Sequence, residues 1–109
     1  MLRPSKIRIL QNFMQLERRY KNIMKYSYKE GNFRKGDILS IVIDRKVNIY
    51  LMDNMNFTRY KNGDSFEYYG GVANNSPYNV TVPRTEHWYI VIDLGGGTGI
   101  LNYSIRVFK

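Results

Sequence analysis

Apolar positions recur along this chain with two periods, and the change between them divides it. Over residues 5–25, Ile9, Phe13, Leu16, Tyr20 and Ile23 are spaced by four, three, four and three, which places them on one face of a helix. Arg8, Arg18, Arg19 and Lys25 fall mostly elsewhere around it. From Gly36 the period becomes two. Ile38–Ile43 is rich in β-branched side chains and bounded by Gly36-Asp37 and Asp44-Arg45, so it predicts a strand. Val47, Ile49 and Leu51 alternate with Asn48, Tyr50 and Met52, predicting a second strand joined to the first as a hairpin. Asn62-Gly63-Asp64 reads as a turn, because Asn and Gly tolerate positive φ, and it separates strands over 57–61 and 65–69 in a second, shorter hairpin. Gly70-Gly71 marks a bulge or bend and Asn74-Asn75-Ser76-Pro77 a loop. Tyr78, Val80 and Val82 alternate again. After Pro83 and the turn Arg84-Thr85-Glu86, the strongest strand runs over 87–94 with Trp88, Ile90, Ile92 and Leu94 on one face. A last strand covers 100–108, with Leu101, Tyr103, Ile105 and Val107 alternating.

About seven short strands with frequent turn signals and no intervening helical pattern predict an all-β fold, an antiparallel sandwich or barrel. A short N-terminal helix or irregular arm precedes it. A length of 109 residues fits one domain. With no Cys and a single His, disulfides, thiolate zinc sites, Cys nucleophiles and His-rich metal sites are excluded, and no metal or cofactor is expected. The net charge of +8 is unevenly placed. Residues 1–36 hold ten Lys and Arg against Glu17 and Glu30, whereas 37–109 hold seven of each sign. The excess therefore belongs to an arm beside a neutral domain. A basic amphipathic helix there can lie on an anionic membrane, pack on a partner, or dock on its own domain.

The segment can also be read as untranslated. Glu17-Arg18-Arg19 is encodable as GAA-AGG-AGG, a bacterial ribosome-binding sequence, with Met24 a few codons downstream. On that reading translation starts at Met24 and residues 1–23 are a misassigned leader. The organisation expected is thus an arm over 1–23 and a single β domain over 24–109. No apolar run approaches the length of a membrane span or follows the basic N-terminus as in a signal peptide, so the expected location is the cytoplasm.

Four constellations could carry chemistry. Asp93-Leu94-Gly95-Gly96-Gly97-Thr98-Gly99 is similar to a phosphate-binding loop of actin-like and heat-shock ATPases, where glycine amides approach the phosphate. Those enzymes need two large lobes, for which this chain has no room, and a Gly-rich hairpin turn is the simpler reading. His87 could act as a general base, but no nucleophile or orienting acid accompanies it in sequence, and a packed or surface His is simpler. Trp88 reads as a core anchor. Asp53-Asn54-Met55-Asn56 with Asp64 is oxygen-rich but lacks Ca²⁺-loop spacing, so it reads as a turn. Tyr60, Phe66, Tyr68 and Tyr69 near Arg59 and Lys61 could stack bases or sugars, or simply fill a small β core. The zero net charge of 37–109 argues against nucleic acid for the β domain. Association through the basic arm, or nucleotide binding at 95–99, stand as the alternatives.

An ordered set of residues resembles a known family. Gly36-Asp37, Asn48-Ile49-Tyr50-Leu51-Met52-Asp53, Asn56-Phe57, Tyr60, Gly63 and Tyr69-Gly70-Gly71 are followed by Ser76-Pro77, Val82-Pro83, His87-Trp88 and Val91-Ile92-Asp93-Leu94-Gly95-Gly96. The chain from about Met24 resembles the small bacterial DUF1883 family, a domain of unknown function. The resemblance implies a start near Met24 and an aromatic and a small residue where Gly97-Thr98 stand, which makes the ATPase-like string a local accident. It also implies occurrence beside TIR-type domains, and so a non-enzymatic sensing or interaction module with a protein or small-molecule partner, a TIR-type effector among the candidates. No catalytic residue is carried over. Asn56, Tyr60, Tyr69, His87 and Asp93 are the expected ligand or partner contacts, and a pocket gathering His87, Tyr60 and Asn56 would mark a ligand site. Gly70, Gly71, Trp88, Gly95 and Gly96 are the expected turn and core residues.

Overall fold

A computed structural model describes residues 25–96 and 101–109. The helix expected upstream, the basic arm to Met24 and the string Gly97-Thr98-Gly99-Ile100 lie outside them. The described residues form β1 (Tyr26–Phe33), β2 (Ile38–Ile43), β3 (Val47–Met52), α1 (Asn54–Asn62), β4 (Tyr69–Ala73), β5 (Tyr78–Thr81), β6 (Glu86–Asp93) and β7 (Tyr103–Phe108). A four-stranded sheet has the order β1-β6-β3-β4 and a three-stranded sheet the order β5-β2-β7, and all pairings are antiparallel. Among the described residues both sheets keep free edges, so of the two expected architectures the chain builds a sandwich and not a closed barrel.

The core lies between the sheets. Leu39 and Ile41 of β2 face Ile49 and Leu51 of β3 and Trp88, Ile90 and Ile92 of β6, all fully or nearly fully buried. The alternation along β6 thus places its even positions as the sequence predicts. The first expected hairpin does not form. β2 and β3 are the central strands of opposite sheets, and Asp44-Arg45-Lys46 carries the chain across. A two-residue hairpin loop needs positive φ, which that tripeptide has no Gly or Asn to supply.

The second expected hairpin is replaced by a helix. Asp53 adopts extended backbone (φ −79°, ψ 178°) and its Oδ1 accepts from the backbone N–H of Asn56 at 2.9 Å, a standard N-cap. Gly63 closes the helix in the left-handed conformation (φ 79°), its N–H reaching the carbonyls of Arg59 and Tyr60. The Asn-Gly pair read as a hairpin turn is therefore a helix stop. Phe57 and Tyr60, one turn apart, face the outer side of the four-stranded sheet. There Met52, Phe57 and Val91 are buried among Tyr26, Tyr50, Tyr60, Phe66 and Tyr89. Phe57 stacks on Tyr89 with centroids 4.4 Å apart, and the Tyr60 ring meets Tyr26 and Phe66 edge-on at 5.1 Å. Aromatic pairing on the sheet outweighs the β tendency of Phe57, Thr58 and Tyr60. Asp53→Ala is expected to cost about 1 kcal/mol, read as a lower urea midpoint at unchanged slope.

The residues before Gly36 also differ from the reading as an arm. Tyr26–Phe33 pairs along its whole length with β6, from Tyr26 opposite Asp93 to Phe33 opposite Glu86. Lys29, Glu30 and Asn32 obscure the strand pattern because β1 is an edge. The turn into β2 is fixed by Asp37, a buried carboxylate that accepts from the backbone N–H of Arg34 at 2.9 Å and lies 3.4 Å from the Lys109 ammonium. The Arg34 amide, then Lys109, hold its pKa below the usual carboxylate value against the opposing effect of burial. A depressed folded-state value means the contribution is complete above about pH 4, the unfolded value, and fades as pH falls through the folded one. Asp37→Asn is expected to lower stability at neutral pH and to converge with the wild type in acid. A constant difference from pH 7 down to acid unfolding would contradict this.

Candidate functional site at the start of the helix

The chain places the expected site residues at three separate positions. His87 stands near the start of β6, opposite Asn32 of β1. Its Nδ1 lies 2.9 Å from Asn32 Oδ1 and its Nε2 2.8 Å from Glu30 Oε1, so both nitrogens face oxygens of the neighbouring strand. Tyr60 donates its hydroxyl to Asp93 at the far end of the same strand. Six residues of extended chain separate His87 from Asp93, about 20 Å. Asn56 lies at the first turn of α1. The expected pocket joining His87, Tyr60 and Asn56 is therefore absent among the described residues.

Burial first, and then the Asp93 carboxylate, push the Tyr60 phenol well above its ordinary pKa, so it remains a neutral donor. Asp93 Oδ1 accepts from the Gly95 amide at 2.6 Å. Gly95 and Gly96 turn with φ of 66° and 89°. An amide already given to a carboxylate is poorly placed to cradle phosphate, and that carboxylate repels one. Tyr60→Phe is expected to keep the aromatic packing while freeing Asp93. The Gly95 amide resonance would shift and exchange faster with solvent, and an unchanged resonance would contradict the linkage.

Asn56 and Tyr69 do come together, with partners the sequence reading left in turns. A cleft of about 460 Å³ opens where the end of β3, the first turn of α1, the segment entering β4 and the turn before β6 converge. Arg84 organises it. Its Nη1 donates to the Tyr69 hydroxyl and its Nη2 to Asp53 Oδ2, both at 3.3 Å, and its Nε pairs with Glu86. The guanidinium carbon of Arg84 lies over the Trp88 ring, 4.9 Å from its centroid, and the Trp88 indole N–H donates back to the Arg84 carbonyl at 2.9 Å. The Tyr69 hydroxyl, then Glu86, raise the Arg84 pKa against partial desolvation. Trp88, fully buried, thus serves the core with one part of its ring and the cleft with another.

Across from Arg84, the Asn56 amide donates to Asp53 Oδ1 at 2.9 Å and accepts from the backbone N–H of Glu67 at 2.8 Å. One side chain so ties the helix start to the segment leading into β4. Glu67 and Tyr68 complete the rim. Tyr68 is exposed, its ring 4.5 Å from Tyr50 and 5.7 Å from Phe66. Of the four aromatics singled out in the sequence, Tyr60 and Phe66 belong to the packed layer, while Tyr68 and Tyr69 present themselves at the cleft. Asp53 and Arg84 were missed as site residues. Asp53 carries a signal in sequence, an acidic N-cap ten residues before Gly63. Arg84 has none, since its partners come from three other segments.

Among the described residues no three Asp, Glu or His side chains gather as a metal site. No helix there is long and apolar enough to cross a membrane. No curated protein and no solved structure matches the chain. Residues 24–109, which span every described element, match the family model described as a domain of unknown function, and the chain belongs to that family, DUF1883.

Proposed function

We propose that the domain is a non-enzymatic binding or sensing module whose ligand seats in the cleft between Asp53, Asn56, Tyr68, Tyr69 and Arg84. The observation that carries this reading is the construction of the cleft. Its charged groups hold each other in place, Arg84 against Asp53 and Glu86 with Asn56 bracing Asp53, while the ring of Tyr68 stays open to solvent. A rigid polar frame beside an exposed aromatic suits recognition. Salt links this exposed contribute little to stability, which favours a positioning role for them.

The test is a fragment screen on the full chain read by amide NMR, with hydrolase and transferase substrates assayed in parallel. Bound fragments are expected to shift Asn56, Tyr69 and Arg84, and no turnover is expected. Turnover abolished by His87→Ala, or fragments that consistently shift other residues, would overturn the reading.

A further inference from the structure

We propose that the cleft takes a neutral polyhydroxylated ring, the chemistry of a carbohydrate. The inference rests on the preceding reading of the cleft as the binding site and adds the class of ligand. Three features of the rim support it.

The first is charge. Although the chain carries +8, among the described residues the cleft is lined by Asp53 and Glu67 against Arg84, and Glu86 also pairs with that arginine. A phosphate or carboxylate would meet a surface that is acidic among the described residues, with the Arg84 charge already neutralised by its partners.

The second is the mixture of hydrogen-bonding groups. A guanidinium has five N–H donors, and the three directed at Tyr69, Asp53 and Glu86 leave one on each Nη. The Asn56 amide has a second N–H beyond the one given to Asp53. These donors stand beside carboxylate acceptors on Asp53 and Glu67. A phosphate uses only donors and an ammonium group only acceptors. A hydroxyl donates and accepts at once, so a ring of hydroxyls uses neighbouring groups of both kinds.

The third is the aromatic platform. Tyr68 is buttressed by Tyr50 and Phe66 and exposed beyond them. An amphipathic ring of this kind offers an apolar face to the C–H side of a sugar at low entropic cost.

The experiment titrates the ¹⁵N-labelled full chain separately with glucose, galactose, N-acetylglucosamine and ribose, and then with inorganic phosphate and free arginine. At least one sugar is expected to shift Asn56, Tyr69 and Arg84 saturably. Tyr68→Ala should weaken that sugar roughly tenfold, the loss expected of one stacked aromatic, with the spectrum unchanged away from the neighbours of Tyr68, Tyr50 and Phe66. If phosphate or arginine shifts these residues and the sugars do not, the sugar assignment falls while the cleft remains the binding site. Sugar shifts confined to other residues, or no shift from any probe, overturn both.

Discussion

Gly70→Ala is expected to destabilise the domain by about 3 kcal/mol or more, combining backbone strain with overpacking. Gly70 lies in β4 opposite Tyr50, with φ of 123°, a conformation that L side chains rarely adopt. A methyl group there would overlap the carbonyl oxygen of Ile49, a backbone atom of the neighbouring strand that cannot move without breaking the β3–β4 ladder. Two other glycines calibrate the expectation. Gly63 has positive φ but open space around it, so Gly63→Ala should cost only about 1 kcal/mol. Gly31 has no positive φ, and a methyl there would meet the ring tip of Phe33, which can shift, so Gly31→Ala should cost least. Urea unfolding followed by circular dichroism would rank the three. A Gly70 variant within about 0.5 kcal/mol of the wild type would show that β4 does not approach β3 as described.

Trp88→Ala is the second large effect, about 3–5 kcal/mol, the usual cost of removing a buried indole. The side chain is inaccessible to solvent and belongs to the same cluster as Leu39, Ile49 and Ile90. Its loss has a second consequence. The Arg84 guanidinium loses the ring beneath it and the Arg84 carbonyl loses its indole donor. Trp88→Phe should restore most of the stability, because the volume is partly refilled, but it leaves that carbonyl without its donor. Chemical shifts at Arg84 and Tyr69 should therefore remain displaced in the Phe variant after its stability has recovered. Their return together with stability would mean that the indole has no part in shaping the cleft.

How much of this was legible in the sequence follows from how local the cause is. Trp88, Ile90 and Ile92 alternate because one strand faces one core, and a period of two reports that directly. The family was legible as well, since an ordered set of residues spread over the chain is specific where each motif alone is not. The helix was not. Phe57, Thr58 and Tyr60 favour strands, and the cap at Asp53 with the stop at Gly63 resembles two turns until tertiary packing is known. β1 was missed because an edge strand with Lys29, Glu30 and Asn32 has little alternation of its own, and its partner lies more than fifty residues away in β6. At the site, Asn56 and Tyr69 were named but Arg84 was not. Its meaning comes from Asp53, Tyr69 and Glu86 meeting around it, which spacing along the chain does not encode.

The way the chain passes between the sheets has a consequence for how the domain comes together. Among the described strands, every link between successive ones changes sheet except that from β3 through α1 to β4. Elsewhere a strand's partners are never its immediate neighbours in sequence, so the entropy of closing long loops is spent before any ladder forms. Folding should accordingly be slow for a domain of this size and should proceed without separable subdomains. The exception, β3–α1–β4, carries Asp53, Asn56 and Tyr69. Most of the cleft is thus assembled within one short stretch of chain, while Arg84 and Trp88 reach it only when the distant β6 has docked.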